Sequence, residues 1–412
     1  MADRDDSKNG IETRAGAISP VHADLTLGGD PESVAAALRR YMDGEDPEKR
    51  QRMTINFGPQ HPSTHGVLRV LLTVEGETIA DAQPDIGYLH RNWEKIVEGW
   101  TYPMVIPFSD RNDYLAPLAN EQAVTQAMEK LMEIELTERG QLLRMLIFEL
   151  QRIASHLIWF GTFALDTGAV TVFLHAFRER EKYYTLIEKL TGARLLPGYL
   201  RVGGLRNDTP SGWIKEMLEW LDELENESFP QFMDLLVYND IFIRRTRAVG
   251  TITAEESIAW GASGPVLRGS GVKWDLRKND PFLPYDKVEF DVPVQQEGDS
   301  YARCLVRMQE ILESIKIIRQ TVDLMPEGPV MAKVPRVIRP PQGEVYHRVE
   351  SPRGEIGVYL ISDGGPKPYR IHWRSPCFVH LQMLPLMARG HLLADLVVII
   401  GSIDIVLGEV DR

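Results

Sequence analysis

The chain has 412 residues, 43% of them hydrophobic and 25% charged, the balance of a globular protein with a large core. Its 59 acidic residues outweigh 46 basic ones for a net charge of −13, which excludes the concentrated basic surface that nucleic-acid binding requires. Two cysteines, Cys304 and Cys377, cannot supply the four thiolates of an iron–sulfur cluster or a structural zinc site, and no disulfide framework is implied.

Residues 1–50 read as a polar N-terminal extension with one short helix, SVAAALRRYM. The opening MADRDDSKNG lacks the apolar core of a secretory signal. Residues 51–118 form a strand-rich part: from Met53, apolar and polar residues alternate between Gly and Pro breaks, the pattern of antiparallel strands. The segment FGPQHPSTHG cannot be helical throughout, given Pro59, Pro62 and Gly66.

Residues 119–330 are read as a helical bundle. Leu143, Leu146, Ile147, Leu150, Ile153, Ala154, Leu157 and Ile158 make a broad apolar stripe on a long core helix. Further helices are predicted over 172–191, 211–226, 229–247 and 300–324. Residues 331–412 form a C-terminal strand-rich part, with strands between Val345 and Trp373, and a buried C-terminus. The most apolar run, LLADLVVIIGSIDIVLGEV, is interrupted by Asp395 and Asp404 and falls short of the ~20 uncharged residues of a bilayer span. It reads as a buried strand or turn, and the protein as soluble. The fold class is α+β with a helical bundle at its heart.

Several residues are candidates for chemistry. His61 and His65 stand four apart on a proline-stiffened loop. They suit a metal site, local hydrogen bonds, or a functional pair that exchanges protons near neutral pH. Tyr114, in SDRNDYL, is a phenol that can pack in a core or donate a proton. Asp166 ends the long helix in FALDTGA, where an acid opposes the helix dipole and calls for a partner such as a histidine. Arg91, in LHRNWEK, has the character of a surface ion-pairing residue. RVGGL, RGSG and SDGGP lack the spacing of phosphate-binding loops and are turns.

Taken in order, FGPQHPSTHGVLR, LHRNWEK, SDRNDYL, NEQA, FALDTGA, RGSGVKWDLRK, SPRGEIG and SIDIVLGEVDR make the chain resemble, from Met53 to Arg412, the quinone-pocket subunit family of bacterial respiratory complex I. The resemblance implies the fold of the nickel–iron hydrogenase large subunit with the metal site lost. Where hydrogenases carry two CxxC pairs, this chain has Asp113, Ala116, Val406 and Glu409. It implies that His65 and Tyr114 hydrogen-bond the two ends of a quinone headgroup, with His61 lining the site. Asp166 would partner His65, and Arg91 would lie beside the terminal iron–sulfur cluster of a small neighbouring subunit.

It further implies a component of a proton-pumping NADH:quinone oxidoreductase, a peripheral protein on the cytoplasmic face of the bacterial membrane, with no cofactor or metal of its own. Its partners would be the other peripheral-arm subunits and a membrane subunit at the pocket mouth. The sequence departs from the family pattern twice. Leu196 stands where many relatives have a histidine, and Asn92–Trp93 where a Gly-containing pair is common.

Overall fold

A computed structural model describes residues 52–412; the helix expected in SVAAALRRYM lies outside them. Strands β1 (Arg52–Phe57), β2 (Arg69–Glu75) and β3 (Thr78–Asp85) form an antiparallel sheet in sequence order. Alternation in β2 turns Val70, Leu72 and Val74 into the core while their neighbours face outward. The β1–β2 connection carries both loop histidines. It leaves the sheet at Gly58, whose φ is +73° and where a Cβ would lie 2.2 Å from the Leu68 carbonyl oxygen, so no side chain fits.

The helical part begins with α1 (Tyr102–Ser109) and α2 (Pro117–Leu131), separated by the 110–116 segment that holds Tyr114. The predicted apolar stripe lies on α3 (Glu138–Asp166), capped by Thr137, whose hydroxyl accepts from the Gly140 amide. This 29-residue helix is buried on nearly every side by α4 (Val170–Thr191), α6 (Ser300–Asp323) and α8 (Leu393–Ile403). Between α4 and α6, α5 (Trp213–Glu223) continues through two π-helical turns to Val237. The single helix predicted over 229–247 is broken at Tyr238. Asn239 caps a new start by accepting from the Ile241 amide, and Asp240–Thr246 follows.

Strands β4 (Gly343–Ser351), β5 (Gly354–Ser362) and β6 (Arg370–Arg374) form a second antiparallel sheet that packs on α2. After it come α7 (Pro376–Gln382), α8 and α9 (Leu407–Asp411). The apolar run read as a strand or turn is thus a helix. Val and Ile favour strands, but Leu396, Val398, Ile399, Ile400 and Ile403 are all buried, so tertiary packing overrides propensity. Asp395 starts that helix, its carboxylate accepting from the Leu392 amide where an acid suits the dipole. Among the described residues, no helix is long and apolar enough to cross a membrane.

A buried ion network ties these layers together. Glu149 of α3 accepts from Arg277, Tyr285 and Ser314, and Arg268 bridges Glu310 of α6 to Glu350 of β4 at 2.6 and 2.8 Å. Glu350 precedes the β4–β5 turn, so this network fixes the turn that presents Arg353.

Candidate functional site

The site gathers where the ends of α3, α1 and the chain's C-terminus meet. On the β1–β2 loop, a short 3₁₀ turn (Pro62–Thr64) is held by the Thr64 hydroxyl donating to the His61 carbonyl at 2.8 Å. The Ser63 amide donates to His61 Nδ1 at 3.2 Å, and the His61 ring lies 4.6 Å from that of Phe57. His65 follows in the left-handed region, φ 52°. The residue is solvent-accessible, though protein atoms crowd its ring. Burial and then the charge of Arg353 lower its pKa to about 4, so the imidazole is neutral at pH 7.

Asp166 is the last residue of α3 and is half-buried. Burial raises its pKa to about 6, against the opposing pull of Ser63 and His61. Its Oδ1 accepts from the Ser63 hydroxyl at 3.1 Å. Its hydrogen bond in this structure goes to Ser63 and not to His65. The 3₁₀ turn brings Ser63 to the helix end, while His65 falls under the field of Arg353.

Tyr114 is 38% exposed and its ring packs on α9: a Cβ at Gly408 would sit 3.3 Å from Tyr114 Cε1 and 2.6 Å from the Asn112 carbonyl oxygen. Burial, then the Asp113 charge, raises the phenol's pKa, so the hydroxyl stays protonated at neutral pH. Asp113 Oδ1 accepts from the Leu115 and Ala116 amides, both at 3.1 Å, and Oδ2 takes a 2.7 Å ion pair from Arg353. Arg353, fully buried, also donates to the Ser155 hydroxyl and the Asp404 carbonyl oxygen at 3.1 Å.

Glu409 and Cys377 complete the buried cluster. Burial and the Asp113 charge push Glu409 up to about 7, and burial raises the Cys377 thiol well above its ordinary value. Sequence reasoning does not single out Arg353, Cys377 or Asp404 for this site. SPRG reads only as a turn, and the available signal is a charged residue locked between turn-forming Pro and Gly.

Arg91 lies at the surface, close enough for its charge to act on Tyr114. Its guanidinium donates to the Arg111 carbonyl at 2.7 Å and its amide to the Arg412 carbonyl at 3.3 Å. Asn92 has φ 56°, a left-handed conformation that Asn tolerates better than most non-glycine side chains. Trp93 is buried, stacked on Phe108 at 5.2 Å and edge-on to Trp373 at 3.9 Å. Leu196 is also left-handed, φ 53°.

Among the described residues, no group of three or more His, Cys, Asp or Glu is arranged to hold a metal ion. The two cysteines are buried on separate helices, α6 and α7.

The family described as "Respiratory-chain NADH dehydrogenase, 49 Kd subunit" matches residues 166–412, and the chain belongs to it. The NADH-quinone oxidoreductase D-2 subunit of Symbiobacterium thermophilum is 50% identical over 381 residues, 89% of this chain and 99% of that protein. The NADH-quinone oxidoreductase D subunits of Bacillus anthracis and of Geobacillus kaustophilus are each 50% identical over 364 residues, covering 88% of this chain and 99% of theirs. The chain is therefore a component of an oxidoreductase, complex I, and enzymatic as part of that complex.

Proposed function

We propose that this chain forms the wall of the quinone-headgroup pocket, with Tyr114 and His65 hydrogen-bonding the two carbonyl oxygens and Asp166 and His61 organising the loop beneath. The observation that carries this reading is the electrostatic division of the site. Tyr114 is half-exposed and kept protonated by burial and the Asp113 charge, while His65 is kept neutral by burial and the charge of Arg353. A neutral imidazole and a phenol can each donate a hydrogen bond to a carbonyl without adding charge to the pocket.

Quinone reduction takes up two electrons and two protons. The electrons would come from an iron–sulfur cluster in a small neighbouring subunit, with Arg91 near it. Tyr114 then gives its proton to the oxygen on which negative charge develops. His65, with a pKa of about 4, holds an oxygen in place but carries no spare proton at pH 7. Asp166, pushed up to about 6, and the buried Glu409, at about 7, are acids of the site able to hold a proton near neutrality.

The same reading makes the fold a hydrogenase large subunit whose metal site has been lost. The Asp113 and Glu409 positions meet around Arg353, so a guanidinium occupies the ground between the two segments where thiolates would stand. The other peripheral-arm subunits and a membrane subunit at the pocket mouth would be its neighbours, on the cytoplasmic face of a proton-pumping complex. The decisive experiment is quinone turnover of the assembled complex carrying Tyr114→Phe, set beside NADH oxidation by an artificial acceptor acting upstream. Full quinone turnover would place the headgroup elsewhere.

A further inference from the structure

Beside Tyr114, a narrow cleft runs between α4 and the 194–197 loop, lined among others by Tyr114, Pro117, Gln151, Arg180, Tyr184 and Leu195. Arg180 is its anomaly. The side chain is 6% exposed, and no carboxylate of the described residues lies within ion-pair distance of it. Its buried Nε has no hydrogen-bond partner, and the guanidinium rests over the Tyr184 ring at 4.4 Å. Arg194 covers the same ring at 5.0 Å, but that guanidinium is neutralised by two bonds to Glu181. The other groups acting on Arg180 are the Tyr184 and Tyr183 phenols, neither of them a counter-charge at neutral pH, and the like charge of Arg353.

A buried cation without a counter-charge is costly, and its burial lowers the Arg180 pKa. Single-chain folding gives no reason to keep an arginine there, since a methionine of similar length would pack on Tyr184 and Phe177 at no electrostatic cost. Gln151 adds a second incomplete group: its Oε1 is buried and bare while Nε2 donates to Tyr183 at 3.4 Å. Turned over, that amide offers N–H donors to the cleft.

We propose that this cleft receives a carboxylate from a neighbouring subunit of the complex, which pairs with Arg180 and supplies the missing counter-charge. A planar guanidinium preset on an aromatic face is suited to bidentate capture of a carboxylate. The exposed Leu195 beside it offers apolar cover for the inserted segment. The unpaired charge of Arg180 makes an acidic side chain the occupant that the cleft favours.

The proposal predicts opposite signs for one substitution in two settings. In the free full-length chain, Arg180→Met removes an uncompensated buried charge and should raise the denaturation midpoint. In the assembled complex it leaves the partner's carboxylate unpaired, and neighbouring subunits should dissociate about tenfold faster or more, with turnover per intact complex unchanged. Arg180→Lys should restore most of the retention. Loss of stability in the free chain would mean that Arg180 is already compensated within this chain and would overturn the proposal. Unchanged subunit retention would also overturn it.

Discussion

Asp113 and Arg353 are 240 residues apart in sequence, both fully buried, and joined by a 2.7 Å ion pair directly behind Tyr114. The pair fastens the 110–116 segment to the β4–β5 turn, and through Asp404 it also holds the chain's C-terminal part. Arg353→Met would strand Asp113 and Asp404 in the core. We expect a loss of roughly 3–5 kcal/mol in denaturant unfolding, the usual consequence of breaking one side of a buried pair. Arg353→Met with Asp113→Asn together should cost less than the sum of the single changes. Additive losses would mean that the two residues stabilise the fold separately.

Tyr114→Phe removes one hydroxyl from a ring that keeps its packing against Gly408. Assembly should be intact and quinone turnover should fall about a hundredfold or more, roughly 2.7–4 kcal/mol for losing a donor to developing charge. His65→Ala should also slow turnover. Asp166→Asn and His65→Ala, which share no hydrogen bond here, should combine nearly additively. A strongly non-additive pair would show that Asp166 swings from Ser63 to His65 when quinone binds.

Glu409 gives a pH signature in stability. Unfolded, it ionises near 4.5; folded, near about 7. Between those values the native chain holds a proton that the unfolded chain has released, so this residue lowers stability as pH rises through that window. Above about pH 7 its contribution is fully unfavourable. Glu409→Gln should therefore gain on the parent chain as pH goes from 5 to 8, read as the difference in urea midpoints. A difference that stays flat with pH would mean that Glu409 ionises normally.

Much of the fold is legible in the sequence because its signals are local. The α3 stripe, the β2 alternation and the breaks at Pro59 and Gly66 each follow from neighbouring residues. The failures share a cause in long-range packing. Val398, Ile399 and Ile400 read as strand until their burial between α3 and α6 makes them helical. Tyr114 and Asp166 stand out through their motifs, whereas Arg353 and Cys377 acquire meaning only when distant segments close around Asp113. Ser63 as the partner of Asp166 depends on a three-residue turn that no periodicity encodes.

Gly408 tests whether the position of Tyr114 is set from behind by α9. A methyl group there would meet the Asn112 and Arg111 carbonyl oxygens at 2.6 and 3.0 Å and the Tyr114 ring at 3.3 Å. Two of these contacts are backbone, so Gly408→Ala must push α9 and the 111–114 segment apart. Overpacking of this kind costs about 1–3 kcal/mol, and the displacement should lower quinone turnover more than stability alone explains, because a small misplacement of a reacting group is enough. Gly192→Ala is the matched control. Its φ is +82° and nothing lies within 4 Å of the added carbon, so only left-handed strain of roughly 1–2 kcal/mol applies. With subunit content equalised, Gly192→Ala should turn over quinone normally while Gly408→Ala should not, and upstream NADH oxidation should be equal in both. Equal quinone turnover in the two variants would mean that Tyr114 is positioned by Asp113 and Arg353 without help from the C-terminal helix.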